Sequence, residues 1–236
     1  MCFEPHDELL HGNFLAASYK AIARNPQWRR RLGKIHTGAR RSLPGREQGR
    51  WRELDCCVSS DALLMNVFCY PRVLAHAGVA STLGLEPSLV PRFGVPARVP
   101  LEGSRGDRTE VDMRLGNLLV EAKLTEGGFQ TAGKAALERY RDFFEVFEVE
   151  RLPQTERCYG SYQLIRNVLA AHAAGCSLCV LLDARRPDLV DAVYAVVKCV
   201  RPVDLRTSCE VLTWQELARV LPGKLQGFLA EKYGIE

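Results

Sequence analysis

Glu110-Val111-Asp112-Met113-Arg114-Leu115, then Gly116-Asn117, then Leu118-Leu119-Val120-Glu121-Ala122-Lys123 reads as a β-hairpin with acids on one face. Folding it about Gly116-Asn117 as a two-residue turn sets Leu115 against Leu118, Met113 against Val120 and Val111 against Ala122. Those apolar pairs share one face. On the other face Asp112 lies opposite Glu121, and Glu110 opposite Lys123. Directly opposed residues sit about 5 Å apart at Cβ, so the two carboxylates repel unless something lies between them. A divalent cation is such a partner, with a lysine alongside for chemistry.

Outward from the hairpin, the chain has 236 residues, 47% hydrophobic and 25% charged. That suits one α/β domain with a sizeable core and an N-terminal extension. No apolar run approaches the roughly 18 residues of a membrane span. The start, Met1-Cys2-Phe3-Glu4-Pro5, lacks the basic residues and apolar run of a signal peptide. Nine cysteines then read as reduced thiols in a cytoplasmic protein.

Net charge is only +4, but its distribution is uneven. Arg29, Arg30, Arg31, Lys34, Arg40, Arg41, Arg46, Arg50 and Arg52 face the single acid Glu47 between Trp28 and Arg52. Arginine suits bidentate phosphate contacts, and such a stretch suits a polyanion. A solvated arm or a protein contact is the plainer reading.

Helical spacing predicts a first helix from about Asp7 to Arg24, ended by Asn25-Pro26. The basic stretch after it, with several Gly and Pro, reads as irregular. A second helix starts at Ser59 or Ser60 as N-cap, with Asp61 in its first turn, and stops at Pro71. A short third helix covers Val73 to Leu83. Residues 84–107 read as loop with one extended piece. Beyond the hairpin come a long helix from Thr131 to Val149 and another from about Gly160 to Ala174. A strand follows at Ser177–Asp183, a helix at Pro187–Val200, a strand at Cys209–Thr213 and a helix from Trp214 to Leu221. This β-α-β-α order implies parallel strands added to the hairpin sheet.

An acid, a gap and then acid-x-Lys arises by chance roughly half a time per chain of this composition. Its place on a hairpin, with the chemical groups sorted to one face, raises its weight. Asp112 and Glu121 can ligate Mg²⁺ or Mn²⁺, the Ala122 carbonyl can add a third oxygen, and Lys123 can orient a water or offset phosphorane charge.

Asp112 with Glu121-Ala122-Lys123 resembles the core of the PD-(D/E)xK nuclease superfamily, the restriction-endonuclease-like fold. Val111 stands where that pattern has proline. Ser59-Ser60-Asp61-Ala62-Leu63-Leu64-Met65-Asn66-Val67-Phe68 is similar to an SSQAxxxNxF helix of one branch, with Asp61 in place of Gln. Tyr162-Gln163-Leu164-Ile165-Arg166-Asn167 resembles that branch's later helix. The resemblance covers about residues 52 to 215. It implies a central mixed β-sheet flanked by helices and metal-dependent hydrolysis of nucleic acid, DNA above all. The organisation is then residues 1–52 as helix and basic arm, and 53–236 as the nuclease-like domain.

Further candidates are weighed against plainer roles. The superfamily often adds a helix acid before the hairpin, which Glu53 or Asp61 can supply; Asp61 is otherwise a first-turn acid. Glu110 is an accessory acid or a salt-bridge partner of Lys123. Gln163 contacts the site or DNA, or is a surface glutamine. Arg105, Arg108 and Arg114 flank the hairpin and can hold phosphates, although Arg114 can pair with Glu121 or Asp112 instead. Cys176-Ser177-Leu178-Cys179 lacks a second ligand pair and reads as buried thiols. The five histidines form no cluster. Double-strand cleavage suits a homodimer. A rival reading is a nuclease-like module without catalysis that binds nucleic acid or protein, and a third is a plain ion-pair network.

Overall fold

Pro26 opens a second helix directly after the first, because Asn25 Oδ1 accepts from the main-chain N–H groups of Gln27 and Trp28 at 3.0 and 3.4 Å. A computed structural model describes residues 2–3, 10–35, 51–103 and 106–236. In chain order the first elements are α1 (Ala16–Arg24), α2 (Pro26–Arg31), α3 (Ser60–Phe68), α4 (Ala77–Thr82), β1 (Arg92–Pro96), β2 (Glu110–Leu115) and β3 (Leu118–Ala122). Next come β4 (Thr131–Gly133), α5 (Lys134–Glu138), α6 (Phe143–Val146), β5 (Cys158–Gly160), α7 (Tyr162–Ala174), β6 (Ser177–Leu182) and α8 (Pro187–Val197). The last are α9 (Val203–Thr207), β7 (Cys209–Thr213), α10 (Trp214–Ala218) and α11 (Gly223–Tyr233).

The chain divides into two units. One holds Met1–Phe93 and Gln215–Glu236, the other Gly94–Trp214. The division falls between Phe93 and Gly94. Residues 53–93 join the first unit because Leu54, Ala62, Met65 and Cys69 share a core with Phe14, Tyr19 and Ile22. In α3 everything from Asp61 to Phe68 is buried. Its start is fixed by Ser59, whose hydroxyl accepts from Ala62 N at 3.1 Å. Asn66 ties it to the N-terminal segment. Its Oδ1 accepts from Leu15 N at 2.8 Å, and its Nδ2 donates to the carbonyls of Asn13 and Ala62 at 3.0 and 2.9 Å.

In the second unit one sheet runs β1-β2-β3-β6-β7, with the unit boundary falling inside β1. β2 and β3 are antiparallel, with Met113 opposite Val120, Arg114 opposite Leu119 and Leu115 opposite Leu118. That is the register read from the sequence. Gly116 has φ 54°, the glycine-first pattern of a II′ hairpin turn. β3 pairs parallel to β6, and β6 parallel to β7. The result is the mixed sheet with flanking helices that the sequence implies.

β2 alternates between buried and accessible positions, but all five residues of β3 are buried. β3 is the central strand, so both its faces are covered. Leu164, Ile165 and Val168 of α7 and Leu189, Val193 and Val196 of α8 join one core with Leu119 of β3 and Leu178, Val180 and Leu182 of β6. Glu121 follows Leu119 by two residues and shares its face.

Three expectations need correction. α1 starts at Ala16 rather than Asp7; residues 4–9 lie outside the described residues. Leu10 to Leu15 are not helical, because Asn13 Nδ2 donates to the Leu54 and Cys56 carbonyls at 2.7 and 2.8 Å. Gly12 also packs so close to Phe3 that a Cβ there would lie 2.7 Å from the ring. Second, Arg29, Arg30 and Arg31 are helical rather than irregular. Third, the long helix over 131–149 is broken into β4, α5 and α6. Residues 100–102 pair with the break: Arg141 N donates to Pro100 O and Glu102 N to Arg139 O. This non-local backbone pairing outweighs the helical spacing of the side chains. α9 and α11, and the 3₁₀ turn at Val73–Ala75 that precedes α4, add detail the sequence reading lacks.

All nine cysteines are free thiols, and Cys176 and Cys179 are buried. Burial pushes the Cys179 thiol up to about 12. Among the described residues no helix is long and apolar enough to cross a membrane.

Candidate functional site

The hairpin register carries Asp112 level with Glu121, and the side chains confirm the neighbourhood. Asp112 Oδ2 accepts from Ala122 N at 2.8 Å. Asp112 is half-buried, whereas Glu121 is only 2% exposed. Lys123 is 5% exposed and its Nζ donates to Glu121 Oε1 at 2.7 Å. Asp112, Glu121 and Lys123 thus come together at the outgoing end of β3.

The Lys123 backbone is fixed on both sides. Its N–H donates to Leu181 O at 2.9 Å, and its carbonyl accepts from Trp214 Nε1 at 2.9 Å. The ammonium also lies 5.6 Å from the centre of the Phe129 ring. Burial alone would push the Lys123 pKa down. The Glu121 carboxylate, and after it that of Asp112, outweigh burial and raise it above the ordinary lysine value. Lys123 is therefore an ammonium at neutral pH.

The sequence reading missed Asn167. Its Nδ2 donates to Glu121 Oε2 at 2.8 Å. Asn167 Oδ1 in turn accepts from Arg166 Nη2 at 2.9 Å, and the same nitrogen donates to Glu110 O at 2.9 Å. The signal was a charged residue and an amide side by side in the otherwise apolar run Leu164-Ile165-Arg166-Asn167-Val168-Leu169, one turn beyond Gln163. The Gln163 backbone N–H donates to Phe129 O at 3.0 Å, and its side chain is half-buried.

The other sequence candidates have the following partners. Lys123 pairs with Glu121, while Glu110 is exposed and offers its main-chain oxygen to Arg166. Arg114 Nε donates to Gly116 O at 2.8 Å, across the turn. Glu53 and Asp61 belong to the first unit. There Lys34 Nζ reaches Glu53 at 2.9 Å and Asp61 at 3.2 Å, and Arg31 Nη2 reaches Asp61 at 2.8 Å. Arg29, Arg30 and Arg108 are exposed. Arg40, Arg41 and Arg105 lie outside the described residues.

Beside the hairpin, Asp107 accepts from Thr109 Oγ1 at 2.6 and 2.8 Å and from the Tyr140 hydroxyl at 2.7 Å. The Tyr140 and Tyr162 hydroxyls lie 3.5 Å apart.

Among the described residues no three His, Cys, Asp or Glu side chains gather as a metal cluster. Two carboxylates and a main-chain carbonyl are hard oxygen donors. That short set fits Mg²⁺ or Mn²⁺, which keep several waters, and does not fit a structural zinc site.

A family model described as "Restriction Endonuclease associating with ARP" matches residues 3–234. No curated protein and no solved structure matches the chain.

Proposed function

Since the chain belongs to this restriction-endonuclease family, we propose that it is a divalent-metal-dependent nuclease hydrolysing phosphodiester bonds in DNA. One observation carries the reading: Asp112, Glu121 and Lys123 meet at one strand end, with Lys123 Nζ 2.7 Å from Glu121 and Asp112 bonded to the Ala122 N–H. The order of the three groups resembles the superfamily core, and the hairpin register supports their sharing one face.

Asp112, Glu121 and the Ala122 carbonyl would hold Mg²⁺ or Mn²⁺. Such a cation would supply Lewis-acid chemistry to the scissile phosphate and the attacking water. Lys123 orients the attacking water and offsets charge developing on the phosphorane. Its burial strengthens that field, because little solvent screens it. Asp112, the more accessible of the two acids, marks the side from which substrate approaches. Arg108 just before β2, and Arg29 and Arg30 on α2, supply phosphate contacts.

The test is cleavage of plasmid and single-stranded DNA with Mg²⁺ or Mn²⁺. Glu121→Ala and Lys123→Ala are each expected to lower the rate on the order of 100-fold or more. Undiminished cleavage by both variants removes this site assignment.

A second reading rests on the same carboxylate. Glu121 already accepts from Lys123 and Asn167, which also describes a nuclease-like module that binds nucleic acid without cutting it. It predicts salt-sensitive DNA binding and no hydrolysis in any metal.

A further inference from the structure

We infer that Asn167, oriented by Arg166, is a positioning residue for the Glu121 carboxylate. The inference rests on the reading of Asp112 and Glu121 as cation ligands.

A carboxylate on a strand end rotates about its terminal torsion unless both oxygens are engaged. Here both are. Oε1 accepts from Lys123 and Oε2 accepts from Asn167. The amide of an asparagine can bind either way round, and only its second partner decides which end faces the acid. Arg166 makes that decision. Its Nη2 donates to Asn167 Oδ1, so Nδ2 is the end turned to Glu121. Were the amide reversed, the guanidinium would meet an NH₂ group and Glu121 would meet an oxygen, and both contacts would repel.

Arg166 is unusual for a residue that serves packing alone. It is 2% exposed, and its Nε and Nη1 have no hydrogen-bond partner among the described residues. A buried guanidinium with N–H groups left unsatisfied is unfavourable, and an apolar side chain of similar volume would fill the space better. What a hydrocarbon cannot do is donate to Glu110 O and Asn167 Oδ1 from one nitrogen. That nitrogen joins the first residue of β2 to α7, and through Asn167 to Glu121 near the end of β3. The groups around Glu121 are thus held from α7 as well as from its own strand. Partners of this kind behind a ligating carboxylate tune metal affinity without touching the metal.

Mn²⁺ titrated into the full-length protein by calorimetry tests this apart from catalysis. The variants are Asn167→Leu, Asn167→Ser and Arg166→Met, each checked for folding by circular dichroism. Asn167→Leu keeps the volume and removes the donor, and should weaken Mn²⁺ binding about 10–100-fold. Asn167→Ser retains a hydroxyl donor and should lose less. Arg166→Met should shift affinity in the same direction, because Asn167 is then free to turn. Unchanged affinity in a folded Asn167→Leu protein overturns the inference. Should that variant not fold, affinity in Asn167→Ser equal to wild type does the same. Absence of Mn²⁺ binding by the wild-type protein overturns instead the site reading on which the inference depends.

Discussion

Lys123 Nζ lies 2.7 Å from Glu121 Oε1, with the two residues side by side on one face of a strand end and both side chains buried. Such a pair is costly to break from one side. Removing Glu121 leaves a buried ammonium, and removing Lys123 leaves a buried carboxylate. Glu121→Ala alone should lower stability by about 3–5 kcal/mol. The double Glu121→Ala/Lys123→Ala protein should be more stable than the sum of the singles by about 0.5–3 kcal/mol. Urea denaturation of the four proteins measures this coupling, and strict additivity would mean the pair contributes nothing. The same data separate lost catalysis from lost folding.

Asn66 should matter for stability rather than for chemistry. Its amide meets the Leu15 N–H and the carbonyls of Asn13 and Ala62 in a buried setting. Asn66→Leu orphans those groups and should cost about 1–3 kcal/mol. Thermal unfolding reads the loss; a melting curve identical to wild type would rule out the clamp.

The arginines of α2 should divide by role. Arg29 and Arg30 are exposed, whereas Arg31 is engaged with Asp61. Arg29→Ala and Arg30→Ala should each flatten the dependence of log binding constant on log salt by about 0.9 per lost phosphate contact. Arg31→Ala should chiefly lower the melting temperature. Fluorescence anisotropy with labelled DNA at several salt concentrations checks the first pair. Slopes equal to wild type would remove α2 from the DNA-binding surface.

Asp107 should give the protein part of its acid sensitivity. Burial alone would raise its pKa, but hydrogen bonds from Thr109 and Tyr140 outweigh burial and hold it below the ordinary 3.8. A depressed carboxylate contributes stability above that ordinary value, and the contribution fades as pH falls through the lower folded value. Asp107→Asn should therefore flatten the acid limb of the stability profile as pH falls below the ordinary 3.8. Equal slopes for variant and wild type in that window would show that the Thr109 and Tyr140 contacts carry no linkage.

The hairpin was readable because its information is local. Gly116 sets the turn, and an alternation of period two sorts Val111, Met113, Leu115, Leu118, Val120 and Ala122 to one face. Strands β6 and β7 were readable from the apolar run of one and the cap that ends the other. The depth of Glu121 was not, because it depends on β6 pairing from more than fifty residues away. The same limit hid Asn167, whose partner lies 46 residues back along the chain. It also made 131–149 look like one helix, since the contacts of Pro100 and Glu102 that break it are distant in sequence. Residue types at the site were visible; which of them touch was visible only within one turn.

The first unit is assembled from two segments, residues 1–93 and 215–236, and Leu225 and Leu229 of α11 in the second segment are fully buried. During synthesis its N-terminal part therefore waits while residues 94–214 emerge. At roughly 5–20 residues per second that interval is on the order of ten seconds. The unit bearing Asp112, Glu121 and Lys123 has its whole sequence before its neighbour does. On the ribosome, the segment carrying Asp112, Glu121 and Lys123 is complete before α11, the last helix of the first unit, has emerged.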